Sequence, residues 1–305
     1  MRSKELLLGT AQWAWTVDKN TAFHLLDTWL EAGYRAIDCA TNYPIDKDPA
    51  HFRAAESILA DYLKAHNLRD LRITMKIGAL DNLRSSESNL SPSFIRMMSG
   101  EYRRLFGNNL HCIMLHWDNR NDPNAIADTL YALVETCREE KLQPGLSGIR
   151  YPEIYAPILE KLNVSFDIQL KHNILHSDLP RYAALQHQQH RYFAYGTNAG
   201  GLKLDSAYAA NSTLKARGGD PASAEKILAQ IRHTLPQWNT AAVRPPIVAF
   251  YQIGLLFAAI HPRIDGIVLG CSSPAQLRQT LDFWRDLETF DYADVFEALH
   301  EMIQN

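Results

Sequence analysis

The chain has 305 residues, 46% hydrophobic and 21% charged, an ordinary globular balance at a length that suits one large domain. Its formal net charge of -3, from 31 basic and 34 acidic residues, offers no basic stripe for nucleic acid and no acidic tail. The apolar run Leu6 to Leu8 is too short for a signal peptide, no stretch approaches a membrane helix, and Cys39, Cys112, Cys137 and Cys271 share no CxxC or metal-finger spacing, a pattern that suits a reducing cytoplasm.

Leu6 to Ala11 predicts a short buried first strand. Asn20 is the expected N-cap of a helix over Thr21 to Glu31, with apolar residues at Ala22, Leu25, Leu26, Trp29 and Leu30, and Gly33 ends it. The second strand, Ala36 to Ala40, carries Asp38 inside an apolar run, where a charge is costly unless paired. Tyr43 follows just past its end. A helix over Phe52 to Ala65 leads to a third strand, Leu71 to Gly78, which carries Lys76. Ser91-Pro92 starts the next helix, which Gly107 stops. The fourth strand, Leu110 to Trp117, carries His116. A helix from about Asn124 to Glu140, a strand at Leu146 to Ile149, a helix over Tyr151 to Lys161 and a strand at Phe166 to Leu170 continue the alternation. Asp178 to His187 is expected to be helical, and Arg191 to Gly196 is the seventh strand. Leu202 to Pro245 is too long for an ordinary connection and reads as a functional excursion with its own helix, Ala222 to His233. An apolar helix over Pro246 to Ile260, an eighth strand at Ile267 to Leu269, a crossover helix opened by Pro274 and a last amphipathic helix, Tyr292 to Ile303, complete the chain.

Eight strand-then-helix units specify an α/β fold with a parallel sheet. With no linker and no second composition shift, residues 1–305 are expected to form a single (β/α)8 TIM barrel, with a long excursion after strand seven and an extra C-terminal helix. Three successive strands then deliver Asp38, Tyr43, Lys76 and His116 near their C-terminal ends, where such barrels keep their chemistry. A lysine cation near a tyrosine draws its pKa down from about 10. An aspartate beside that lysine keeps it charged and in place. Asp38, Lys76 and Tyr43 therefore form a relay that makes Tyr43 a general acid, with His116 offering a hydrogen bond to a substrate carbonyl. A hydride, the other half of a reduction, needs a cofactor.

These residues resemble the aldo-keto reductases. The resemblance runs through Gly9-Thr10, Asp38 to Tyr43, Glu56, Lys76, Leu115-His116-Trp117, Gly145-Leu146-Ser147, Gln169 with Asn173, Ala194-Tyr195-Gly196 and Gly270 to Pro274, from about residue 6 to 280. It implies a catalytic tetrad of Asp38, Tyr43, Lys76 and His116, a nicotinamide ring stacked on Tyr195, and a carboxamide held by Ser147 and Gln169. It implies cofactor contacts at Gly9, Thr10, Gly270, Cys271, Ser272, Ser273 and Arg278, with Trp13, Trp15 and Trp117 in the substrate wall. NADP(H) is favoured over NAD(H), the substrate is a small-molecule carbonyl or alcohol, and no nucleic acid or membrane partner is implied. The chain departs from the family at Gly148, where asparagine is frequent, and at Gly270 and Gln276, where basic residues often grip the 2'-phosphate; Arg278 and Arg217 are the available substitutes.

Duller explanations exist for each residue. Asp38 with Lys76 alone would serve as a structural ion pair, Tyr43 alone as a loop aromatic, and His116 alone as a core histidine. Their joint placement favours a reductase site. The alternative is a non-catalytic relative that binds a nucleotide as a sensor or subunit. A metal-dependent isomerase or aldolase needs clustered acidic ligands, and the strand ends offer one carboxylate. His187 with His190, and His172 with His176, have spacings a metal accepts, but the first pair fits a solvated Gln-rich turn better and the second lacks a nearby third acidic ligand apart from Asp178. Cys271, at an expected helix N-terminus, reads as a packed thiol in preference to a reactive one.

Overall fold

Leucines on both faces of β1 (Glu5–Gly9) commit it to a buried position, and its neighbours repeat the pattern. In the computed structural model, which describes residues 4–205, 208, 214, 220–240 and 243–304, seven more parallel strands follow. They are β2 (Ala36–Ala40), β3 (Arg72–Gly78), β4 (Leu110–Asp118), β5 (Gln143–Ile149), β6 (Asp167–Asn173), β7 (Arg191–Tyr195) and β8 (Gly266–Leu269). Each pairs with the next in parallel, and β8 returns to β1 with Leu6 opposite Ile267, so the sheet closes into an eight-stranded barrel. The expected (β/α)8 TIM barrel is therefore the observed fold.

Helices α1 (Lys19–Glu31), α2 (Ala54–His66), α3 (Pro92–Phe106), α4 (Pro123–Glu140) and α5 (Pro152–Leu162) cover the first five connections. Local chemistry sets their ends. Asp18, not Asn20, caps α1, because its carboxylate accepts from the Thr21 amide at 2.7 Å. Ser91 caps α3 with Pro92 in the first turn, and Gly107 ends it at φ 56°.

The helix expected over Asp178 to His187 is not there. His176–Ser177 instead pairs antiparallel with the end of β6, and one 3-10 turn, Ala183–Leu185, follows. Leu179, Tyr182 and Leu185 are the buried apolar residues of that segment. Their spacing of three is the 3-10 period, so apolar periodicity alone mistook a tight turn for an α-helix.

In the excursion, a short 3-10 turn precedes α6 (Glu225–Thr240), which runs further than the expected Ala222 to His233. The apolar segment becomes helical only at α7 (Phe250–Ile260), four residues later than the expected Pro246. After β8 come α8 (Pro274–Thr289) and α9 (Ala293–Gln304), and α9 packs on the outside against α6 and α7. Gly254 on α7 permits a close approach to the loop after β7, since a Cβ there would lie 2.4 Å from the Thr197 carbonyl oxygen. Among the described residues no helix is long and apolar enough to cross a membrane.

Three histidines with depressed pKa values, the buried His172 beside His261 and a separate His190, make the fold acid-sensitive. His172 stacks on Phe257 at 5.0 Å and meets His261 edge-on at 4.9 Å. Burial holds the His172 pKa down to about 3, and those of His190 and His261 to about 4. The unfolded chain titrates these groups near 6.5, so between the two limits it binds more protons than the native state. Stability is whole above about pH 6.5 and is lost as pH falls toward 4, at roughly 1.4 kcal/mol per pH unit from a fully buried imidazole such as His172. Thermal melts between pH 7 and about pH 4.5 should show this slope, and His172→Phe should flatten it; an unchanged slope in that variant contradicts the assignment.

Candidate active site

Strand register sets the polar residues in steps toward the C-terminal end of the barrel: Asp38 pairs with Thr74, two residues before Lys76, and Lys76 with Met114, two before His116. Ala40 pairs with Lys76, Gly78 with His116, His116 with Ser147, and Ser147 with Gln169. Asp38, 2% exposed, and Lys76, also 2% exposed, form an ion pair between Lys76 Nζ and Asp38 Oδ2. Gln169 closes a triangle with them. Its Nε2 donates to Asp38 Oδ1 at 2.6 Å, and its Oε1 accepts from Lys76 Nζ at 3.3 Å. Lys76 Nζ lies 4.9 Å from the centre of the Tyr43 ring, and that ring meets His116 edge-on at 6.3 Å. All five side chains line one cavity of about 370 Å³ at the C-terminal mouth of the barrel. A second groove, of about 630 Å³, lies between Lys4, the start of β8 and the end of α8, and it holds none of them.

The loop that carries Tyr43 is held from beneath. The Thr41 amide and hydroxyl both donate to the Lys76 carbonyl, at 2.9 and 3.1 Å. The same hydroxyl lies 3.0 Å from the Tyr102 phenol, which donates to the buried Glu56 carboxylate at 2.6 Å. Arg53 pairs with Glu56 at 2.6 Å and also with Glu101. The Ala55 amide donates to the Tyr43 carbonyl at 3.3 Å. These bonds tie the ends of β2 and β3 to α2 and α3, so the tyrosine and the lysine move as one body.

Environment sets the protonation states. Burial alone would lower the Lys76 pKa, but Asp38 and Tyr43 raise it above its ordinary value, so the ammonium stays charged. Burial, and then the Lys76 charge, hold His116 well below its ordinary pKa. Its imidazole is neutral at neutral pH. Its Nδ1 is buried with no hydrogen-bond partner, which favours the tautomer with the proton on Nε2. The expected lowering of the Tyr43 pKa is reversed. Lys76 does pull the phenol down, but burial outweighs it and the net shift is upward. Tyr43 is therefore a protonated phenol at neutral pH, ready to give a proton, not a poised phenolate.

The other expected site residues divide. Gly9, Ser147, Tyr195, Gly270, Ser272 and Trp117 line the cavity with the tetrad and Gln169. Thr10 is fully buried and spends its hydroxyl on the Asp38 carbonyl, so it positions the strand and does not face the cavity. Ser273 is turned inward as the cap of α8, bonded to the Gln276 amide. Arg278 donates to Thr28 on α1 and does not reach the cavity. Arg217 lies outside the described residues. Cys271 is buried beside Thr280, and burial pushes its thiol up to about 11, which fits an inert packed thiol. Trp13 is wholly buried in the core, and Trp15 does not line the cavity either.

Sequence reasoning missed Gln12 and Ile45, which also line the cavity, as do Thr197 and Asn198 just after Tyr195. Each sits in a loop whose path periodicity does not specify. Gly200 and Gly201, at φ 83° and 101°, line it as well, and their tandem occurrence was the available signal. The histidine pairs are turned to local partners. His172 Nδ1 meets Ser177 at 2.8 Å, His176 meets Asp178 at 2.9 Å, and the His190 Nδ1 accepts from the Phe166 amide. Among the described residues no group of three or more His, Cys, Asp or Glu is placed to hold a metal ion.

Comparison with known proteins decides the family. The Aldo/keto reductase family profile matches residues 5–300. The chain belongs to the aldo/keto reductase family. Members of this family use nicotinamide cofactors. Among solved structures, this aldo/keto reductase is similar to the holo form of aldo-keto reductase AKR11C1 from Bacillus halodurans, at 18% identity and a TM-score of 0.69 over 97% of this chain and 91% of that one. It is also similar to the glycerol dehydrogenase AKR11B4 from Gluconobacter oxydans, at 15% identity and a TM-score of 0.71 over 98% and 90%. At these identities the likeness speaks for the fold. A search of curated proteins finds no significant match.

The buried pair yields a test of its own. Lys76→Met leaves the Asp38 carboxylate uncompensated and should cost about 3–5 kcal/mol in urea unfolding. Adding Asp38→Asn should restore most of that stability without restoring turnover. A double variant no more stable than the single one contradicts the pairing.

Proposed function

We propose that this aldo/keto reductase transfers a hydride between a nicotinamide dinucleotide and the carbonyl carbon of an aldehyde, ketone or sugar, with Tyr43 as the general acid. The observation that carries this reading is the charged Lys76–Asp38 pair, buried at the barrel mouth and facing Tyr43 in the cavity that also holds a neutral His116. A bound reduced dinucleotide supplies the hydride.

The cavity suits such a group. Tyr195, partly exposed, offers a flat ring to stack against. The Ser147 hydroxyl and the Gln169 amide lie along the same wall as His116, in register on adjacent strands, and match the donors and acceptors of a carboxamide. Gly196, Gly200 and Gly201, all at positive φ, let backbone approach a ligand closely. The N-terminal end of α8, where Gln276 lines the cavity, carries the positive end of the helix dipole, to which a phosphate is drawn.

The residues then have distinct tasks. His116, neutral, donates a hydrogen bond that holds and polarises the carbonyl oxygen. Tyr43 gives its proton to that oxygen in reduction and takes one back in oxidation. Lys76 offsets the negative charge left on the phenol, and Asp38 keeps Lys76 charged and in place. Trp117 and Ile45 shape the substrate side of the cavity. The four free, buried cysteines support a cytoplasmic setting.

Tyr43→Phe should lower turnover by about 10²–10⁴-fold and leave the fluorescence titration with NADH and NADPH unchanged. Full activity in that variant contradicts the role of Tyr43, and failure of the wild-type protein to bind either dinucleotide favours a non-catalytic relative. The pH dependence follows from the raised phenol pKa. Reduction needs the protonated phenol, so its rate should be flat through neutrality and fall only at alkaline pH. Oxidation needs the phenolate, so its rate should rise with pH across the same range.

A further inference from the structure

Gln169 sits 2% exposed on β6, inside a closed ring of hydrogen bonds. A carboxylate only accepts and an ammonium only donates, so the amide has one permitted orientation: Nε2 toward Asp38 and Oε1 toward Lys76. The flipped amide would set its NH2 against the ammonium and its oxygen against the carboxylate. The Lys76 ammonium has three N–H groups. Asp38 Oδ2 and Gln169 Oε1 take two of them, which aims the third toward the Tyr43 side.

We propose that Gln169 is a positioning residue: by bridging Asp38 Oδ1 and Lys76 Nζ, it fixes the direction in which the ammonium faces Tyr43. The proposal rests on the hydride-transfer reading of this cavity. Asp38 and Cys39 on β2, Lys76 on β3, His116 on β4 and Tyr195 on β7 are the titratable groups around the phenol. Of these, Lys76 is the one that draws its pKa down, so the aim of the ammonium sets how much of that pull Tyr43 receives. After its two bonds, the Gln169 amide retains one N–H and one lone pair, and the residue lines the cavity. A ligand carboxamide that bonds to this amide therefore pulls on the same ring. Occupancy of the dinucleotide site is thereby coupled to the orientation of the lysine.

The test is the ¹⁵N signal of the Lys76 ammonium in lysine-labelled, ligand-free protein, assigned by its loss in Lys76→Met. In Gln169→Met the signal should move and broaden, because the ammonium loses one of the acceptors that fix its direction. Addition of NADH or NADPH should move the signal in the wild-type protein and leave it in place in the variant. Gln169→Asn keeps an amide but is one methylene too short to span both partners, so it should behave as Gln169→Met does and replaces it if that variant does not fold. A Lys76 signal identical in wild type and folded variants overturns the proposal and leaves Gln169 as a ligand contact alone. If neither dinucleotide binds the wild-type protein, the hydride-transfer reading fails instead, and the ligand-free spectra still decide the role of Gln169.

Discussion

The chemistry proposed for this cavity depends on one buried contact between opposite charges. Placing an ammonium and a carboxylate together inside a protein costs several kcal/mol in lost hydration, and their attraction offsets this only when the remaining donors and lone pairs also find partners. Here they do. Lys76 meets Asp38 and Gln169, and Asp38 meets Lys76 and Gln169. The result is a fixed, buried positive charge beneath a tyrosine, in the cavity at the barrel mouth. The same burial raises the Tyr43 pKa and neutralises His116. One environment thus produces a cation, a protonated phenol and a neutral imidazole within a single pocket.

The barrel supplies the geometry this contact requires. Side chains from strands far apart in the chain meet because closure puts β2, β3, β4 and β6 around one axis, with Lys76 two residues beyond the partner of Asp38 and His116 two beyond the partner of Lys76, so that all reach the same mouth. The bonds from Thr41 through Tyr102 to Glu56 then tie the tyrosine loop to the outer helices. Rigid strands therefore place the pair, and a buried polar chain places the loop above it.

Much of this was legible in the sequence because the signals were local. A charged or polar residue inside or near the end of an apolar run marks a strand that carries more than packing, and Asp38, Lys76 and His116 are such residues. Helix ends were legible to within a few residues from Ser91-Pro92 and Gly107. Where tertiary context decides, the reading failed. Leu179, Tyr182 and Leu185 have a spacing that both α and 3-10 turns tolerate. Trp13 has the composition of a substrate contact but the burial of a core residue. Arg278 has the charge for a phosphate, yet its side chain turns to Thr28. The Tyr43 pKa was misjudged because a neighbouring cation is visible in sequence, whereas the desolvation that outweighs it is a property of the closed fold.

Gln169 illustrates the same limit from the other side. Its chemistry suits a carboxamide ligand, and nothing in a linear sequence places its amide between Asp38 and Lys76, residues more than ninety positions away. The most direct measurement of the central claim is the fate of deuterium carried at the hydride-donating carbon of a reduced nicotinamide dinucleotide. Incubation of the wild-type protein with an aldehyde should yield an alcohol labelled at the former carbonyl carbon, and Lys76→Met should yield almost none. An unlabelled product, or label transfer by Lys76→Met at the wild-type rate, would contradict the dependence of the chemistry on the buried pair.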